Sequence, residues 1–172
     1  MKYNLVGEIG CNHLGRMDLA KEHISTFAGV GAKFFFFFKR TIKNLLTAEE
    51  YNAPHPNPEF SHGGTYGEHR EKLELNMKQH KELFDECTRN NVIYSCSAWD
   101  LQAAKDLVDN LPDITMIKVP SASNLTFNMI SYILNNSGAD LHISLGMTTK
   151  DEINRIIKYL TRERPTPKSW RT

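Results

Sequence analysis

Apolar and polar residues alternate in blocks along this chain, and the period switches repeatedly between strand and helix. Leu5 and Val6 carry a short apolar run that predicts a first strand over residues 3–7. Leu19, Ile24, Phe27 and Ala28 then recur at helical spacing, predicting a helix over residues 17–30 that Gly29 and Gly31 end. Phe34 to Phe38, five phenylalanines in a row closing on Lys39-Arg40, have the continuous apolar character of a parallel strand buried on both faces. A long helix is predicted from Glu68 to about Asn90, with Leu73, Met77, His80, Leu83 and Phe84 as its inner stripe. Three more strands follow, at residues 92–97, Ile114 to Val119 and Leu141 to Leu145. Asp100 is placed to cap a helix running to about Asn110, and further helices are predicted from Phe127 to Asn135 and from Thr148 or Thr149 to Thr161.

Strand and helix thus alternate five times without a hairpin signal, which specifies a parallel α/β sheet with helical crossovers. Two segments break the rhythm. Residues 40–67 hold Pro54, Pro56 and Pro58 around His55, and then His62-Gly63-Gly64, so this stretch reads as an irregular loop. At the C-terminus, Pro165 and Pro167 fall in a stretch without an apolar run, so residues 165–172 read as an irregular tail after a domain spanning residues 1–164. A complete five-stranded doubly wound protein and an incomplete barrel both satisfy this pattern.

Composition narrows the function class. At 172 residues the chain is one domain's worth, and 24% charged residues with a net charge of +1 give no signal for nucleic acid or a membrane surface. No apolar run approaches the roughly 20 residues of a membrane helix. Cys11, Cys87 and Cys96 are odd in number and lack C-x-x-C spacing, which fits reduced thiols and a cytoplasmic location.

The candidate chemistry collects just after the strands: Glu8, Asn12 and His13; Lys39 and Arg40; Ser95, Ser97 and Asp100; Lys118, Ser121, Ser123 and Asn124; His142, Ser144 and Thr148. In a parallel barrel such ends share one rim. Hydroxyls, amides and a lysine converging there suit a small phosphorylated or carboxylated ligand. His55, His62 and His69 invite a metal reading. None forms an H-x-x-x-H pair, however, and a loop that covers substrate or touches another subunit is the better reading.

Motifs in order along the chain sharpen this. Glu8-Ile9-Gly10-Cys11-Asn12-His13-Leu14-Gly15, Gly31-Ala32-Lys33, Tyr94 to Asp100, Ile117 to Ala122 and Ile143 to Thr149 together resemble the N-acetylneuraminate (sialic acid) synthase family over about Val6 to Ile153. Residues 51–58 and 64–70 look like a sub-branch of it. The resemblance implies an α/β fold of (β/α)8 TIM-barrel type, here incomplete with about five βα units. It also implies condensation of phosphoenolpyruvate with N-acetylmannosamine or a related amino sugar, in a homo-oligomer. By position Glu8 is the implied catalytic carboxylate, and Ser97, Lys118, Ser121 and Ser144 are the implied phosphoenolpyruvate ligands, with Asn12 and His13 supporting the turn.

Departures from the family pattern set further expectations. Members usually carry Lys-Phe-Gln at the end of the second strand, where this chain has Phe36 and Phe38 at the lysine and glutamine positions. Arg40, on their face, is the displaced substitute for substrate binding. Ser123 stands where many members have glutamate. The implied divalent metal, manganese or magnesium, takes histidine ligands from later strands, which lie outside this chain. The expectation is therefore a truncated chain with impaired or no activity; the alternative is a non-catalytic barrel fragment that binds phosphorylated ligands or a partner chain.

Overall fold

The run of phenylalanines forms the second strand of a five-stranded parallel sheet, and its side chains divide between the two faces. The computed structural model describes residues 4–163. The strands are β1 (Leu5–Gly10), β2 (Ala32–Lys39), β3 (Ile93–Ala98), β4 (Met116–Val119) and β5 (Asp140–Ile143), lying side by side in sequence order. Parallel neighbours require crossovers. These are α1 (Met17–Gly29) between β1 and β2, α2 (Ile42–Leu45), α3 (Ala48–Asn52), α4 (Tyr66–Lys72) and α5 (Met77–Arg89) between β2 and β3, α6 (Leu101–Asn110) and α7 (Phe127–Asn136), with α8 (Lys150–Glu163) after β5.

The sequential strand order separates the two architectures left open above. In a doubly wound sheet the order reverses at a switch point, so that helices cover both faces. Here the order never reverses, and crossovers of constant hand put the helices on one face. The result is a singly wound, unclosed α/β sheet.

The core lies between that face and the helices. Phe35 and Phe37 of β2, Tyr94 and Cys96 of β3, and Ile117 and Val119 of β4 meet Ile24 of α1, Leu83 and Cys87 of α5, Leu107 of α6 and Ile130 of α7 in one buried cluster. The Phe37 and Tyr94 rings stack with centroids 5.4 Å apart, and the Phe84 ring meets Tyr94 edge-on at 5.8 Å. In α1 the fully buried positions are Ala20 and Ile24, whereas Phe27 stays partly exposed at the margin, packed on Phe35. The small Ala20 lets the helix approach the sheet closely, so the buried stripe is offset from the bulkiest residues.

Several expected boundaries shift. The first strand continues to Gly10, so Glu8 lies within β1 and not in the turn. The long helix over 68–90 is two helices, α4 and α5, separated by Leu73 to Asn76. The break has a local cause: the Asn76 side chain accepts the Gln79 N–H (3.0 Å) and the Gln79 side chain accepts the Asn76 N–H (2.9 Å), a reciprocal cap that starts a new helix. The irregular stretch 40–67 contains α2, α3 and a single 3-10 turn, with α3 started by a Thr47/Glu50 capping box. Gly67 of α4 packs so closely on Tyr51 of α3 that a Cβ there would lie 2.2 Å from the ring. Asp100 caps α6 as expected, accepting from the N–H groups of Gln102 (3.0 Å) and Ala103 (3.1 Å). The expected tail, 165–172, lies outside the described residues.

Candidate active site

The sheet face without helices carries the candidate chemistry, and alternation along the strands decides which side chains reach it. Phe34, Phe36 and Phe38 point opposite to Phe35 and Phe37. In register with them are Glu8 on β1, Ser95 and Ser97 on β3, Lys118 on β4 and His142 on β5. Lys39 falls on the other side, buried, with its ammonium 3.5 Å from Asp106 of α6. It therefore leaves the rim group in which the sequence placed it.

One contact ties this face together. Lys118 Nζ donates to Glu8 Oε2 at 3.0 Å, joining the fourth strand to the first. On the way the ammonium passes over the Phe36 ring, 5.2 Å from its centroid. The intervening β3 residues, Ser95 and Ser97, are small enough to leave that space open. His142 abuts the same ring at 6.3 Å. The pair is partly solvated, its side chains 25% and 47% exposed, so it adds little to stability and remains accessible to a ligand.

A second group lies at the ends of β4 and β5. The N–H of Ser144 donates to the Val119 carbonyl (3.0 Å), extending the ladder past β5. Asn124 Nδ2 donates to the Ser144 carbonyl (3.0 Å) and to Thr148 Oγ1 (2.7 Å), clamping the following turn. Ser121 packs against that turn; a Cβ on Gly146 would lie 3.4 Å from Ser121 Oγ. Ser97 is fully buried, and its hydroxyl has no hydrogen-bond partner among the described residues. Trp99 Nε1 is in the same condition. Buried polar groups are normally satisfied, so these two atoms, with His80 Nε2, are exceptions among the described residues.

Arg40 behaves differently from the expectation that it would grip substrate. Its guanidinium is buried and paired with the Glu74 carboxylate, and its backbone N–H also donates to Glu74 (3.1 Å). It further donates to Cys11 Sγ (2.7 Å) and lies over the rings of Phe38 (5.5 Å) and Trp99 (5.8 Å). Burial pushes the Glu74 carboxyl up and outweighs the pull of Arg40. Burial also raises the Cys11 thiol. Arg40 thus serves as a buried strut between β2 and the α4–α5 break. Glu74 was hidden from sequence reasoning by the assumed continuous helix; the readable signal was the Asn76-x-x-Gln79 cap.

The opening turn holds its shape through His13 and Gly15. The Gly15 N–H donates to His13 Nδ1 (3.0 Å), and Gly15 adopts φ +73° with the Lys72 carbonyl 2.1 Å from where a Cβ would stand. Burial lowers the His13 pKa to about 4. Among the described residues no group of three His, Cys, Asp or Glu side chains is arranged to hold a metal ion. The residues at hand, a Glu8 carboxylate already held by Lys118 and a His142 against Phe36, do not make the implied metal centre by themselves.

The fold and this mouth define a class: a parallel, singly wound α/β sheet with its polar residues at the C-terminal strand ends. The comparisons then give the family. The NeuB family model matches residues 23–167, and the chain belongs to the NeuB family. It is 29% identical over 158 residues to the N,N'-diacetyllegionaminic acid synthase of Campylobacter jejuni, covering 91% of this chain and 46% of that one. It is 29% identical over 153 residues to the N-acetylneuraminate-9-phosphate synthase of Mus musculus, covering 88% and 41%. Among solved structures, the N-acetylneuraminic acid synthetase of Leptospira borgpetersenii superposes with a TM-score of 0.76 at 15% identity, covering 93% of this chain and 50% of that one. The chain therefore spans about half the length, or less, of the relatives it matches. No helix among the described residues is long and apolar enough to cross a membrane.

Proposed function

We propose that this chain supplies the enol-phosphate side of a sialic-acid-synthase-type condensation, joining phosphoenolpyruvate to N-acetylmannosamine or a related amino sugar with release of phosphate. The observation that carries this reading is the Glu8–Lys118 bridge across the open face. An ammonium has three donors, and Glu8 takes one. The remaining donors, with the hydroxyls of Ser97, Ser121 and Ser144, make a charge-assisted cradle for a phosphorylated carboxylate. Glu8, displaced from Lys118 by the incoming anion, is then placed to orient water or to move a proton at the sugar.

The divalent manganese or magnesium that the family resemblance implies would polarise the sugar aldehyde, with ligands from outside this chain; no step here is routed through it. The full site is proposed as the mouth of a closed barrel, with the open sheet as one part of it, in a homo-oligomeric cytoplasmic enzyme. A second reading, ligand binding without turnover, is favoured by Phe36, whose ring occupies the floor beneath Lys118 where the family carries a lysine.

Calorimetric titration of phosphoenolpyruvate into the full chain tests the cradle. Lys118→Met is expected to weaken binding about tenfold or more. Unchanged affinity would overturn the assignment. Phosphate release from phosphoenolpyruvate and N-acetylmannosamine with manganese separates turnover from binding alone.

A further inference from the structure

The Glu8–Lys118 bridge brings one negative and one positive charge to the open face and leaves no excess positive charge for an anion. The cations at the end of β2 are engaged elsewhere. Lys39 lies on the helix side against Asp106, and Arg40 is buried against Glu74. A phosphorylated carboxylate carries about three negative charges near neutral pH. Such a ligand calls for a second cation beside Lys118, and the fifth strand offers one.

His142 is the register partner of Lys118 across β4 and β5, and adjacent strands lie about 4.8 Å apart. Its ring meets that of Phe36 at 6.3 Å between centroids and 54° between planes, while the Lys118 ammonium stands 5.2 Å from the same Phe36 centroid. Phe36 in turn pairs with Glu8 on β1 and with Ser95 on β3. One phenyl ring is thus bordered by a carboxylate, an ammonium and an imidazole. The ring itself is buried and offers an anion no hydrogen bond, so binding contacts come from the side chains around it. His142 is exposed, and no hydrogen bond among the described residues engages either of its ring nitrogens.

Few charges face this imidazole. Across β4 stands the Lys118 ammonium, and beyond Phe36 the Glu8 carboxylate. On β5 itself Asp140, two residues earlier, shares the face by alternation, at the other end of the strand. β2 and β3 add Phe36, Phe38 and the hydroxyls of Ser95 and Ser97, and no helix covers this side. With His142 neutral, two carboxylates therefore face a single ammonium. Protonation of His142 brings the face to balance, and an anion that displaces Glu8 from Lys118 then meets two adjacent cations.

We infer that His142 is the second cation of the anion cradle: its imidazolium, beside Lys118, binds the phosphorylated carboxylate and makes that binding strengthen as pH falls. The inference rests on the proposed condensation for the identity of this ligand. Its sign follows from the charged form being the one that binds: the contribution is present while the ring is protonated and is lost as pH rises through its titration. An imidazole ordinarily titrates near pH 6.5, within the range where such a contact can be switched.

Calorimetric titration of phosphoenolpyruvate into the full chain at pH 6, 7 and 8 tests this, with His142→Gln and His142→Lys checked for unchanged circular dichroism. Comparison at each pH cancels the ionisation of the ligand's own phosphate. His142→Gln is expected to bind about tenfold more weakly than the unaltered chain at pH 6 and about equally at pH 8. His142→Lys, a permanent cation, is expected to retain at pH 8 the advantage over His142→Gln that the unaltered chain shows at pH 6. The same pH dependence in His142→Gln and in the unaltered chain would overturn the inference while leaving the Lys118 cradle standing. His142 ring resonances that move with magnesium but not with phosphoenolpyruvate would make the ring a metal ligand and overturn it as well. The expected His142 dependence without phosphate release in the presence of amino sugar and manganese would uphold the inference and overturn the condensation. Binding of neither phosphoenolpyruvate nor inorganic phosphate at pH 6 would overturn both.

Discussion

The two faces of the one sheet teach opposite lessons. On the helix side Phe35, Phe37, Cys96, Ile117 and Val119 are fully buried and apolar. On the open side Glu8, Lys118 and His142 of β1, β4 and β5 are partly or well exposed, while the strands between them, β2 and β3, set Phe36, Phe38, Ser95 and Ser97 on the same face, with Phe36 and both serines buried. Identical backbone pairing thus supports a dry packing layer on one side and, on the other, a face with buried rings and hydroxyls at its middle and solvated charges on the flanking strands. Stability resides mainly in the first, and the proposed ligand chemistry falls on the second.

Neighbouring phenylalanines give the sharpest contrast. Phe37→Ala removes a ring stacked on Tyr94 and is expected to cost about 3–5 kcal/mol in denaturant unfolding. Phe36→Ala, one position away on the open side, is expected to cost roughly 1–2 kcal/mol, because solvent enters the vacated space. Equal losses would erase the distinction between the faces.

Arg40 and Glu74 test the edge between the two layers. Glu74→Ala leaves a buried guanidinium without its carboxylate and is expected to cost about 3 kcal/mol. A neutral effect would mean that Arg40 turns out to the mouth, as the sequence alone suggested.

Acid should act through the helix side. Burial lowers His13 to about 4 and His80 to about 3; His80 also faces Lys39 and contacts the Tyr94 hydroxyl at 2.7 Å. Both rings bind protons more readily when unfolded, near pH 6.5. Their neutral forms therefore support the fold fully above pH 6.5, and that support is lost progressively as pH falls toward 4 and 3. His80→Gln is expected to flatten the decline between pH 6.5 and 4 in chemical denaturation. An unchanged slope would locate acid sensitivity elsewhere.

The smallest expected effect on stability belongs to the bridge. Lys118→Met should change unfolding by less than about 1 kcal/mol, since the pair is solvated, while weakening phosphoenolpyruvate binding. A large stability loss would make the bridge a structural strut and weaken its role as a site.

Much of the architecture was legible in local pattern. Five apolar runs separated by helical periods announced a parallel sheet, and Asp100 and the glycine-bounded opening turn marked element ends, because capping and turn chemistry are short-range. The helix break at Leu73 to Asn76 was obscured, since a capping pair of Asn and Gln inside a charged stretch looks like ordinary helix surface. Glu8, Ser97, Lys118, Ser121 and Ser144 were nameable from motifs.

What the sequence determined by itself was the five strands, the crossover helices that carry a clear apolar stripe, and the alternation of side chains within each strand, all fixed by backbone period. What only the tertiary structure decided was partnership. It placed Lys118 on Glu8, withdrew Arg40 to Glu74, and gathered His55, His62 and His69 from the α3–α4 loop and the helix that follows it. Such contacts depend on strand order and on how long connections fold back, and neither is encoded in any local period.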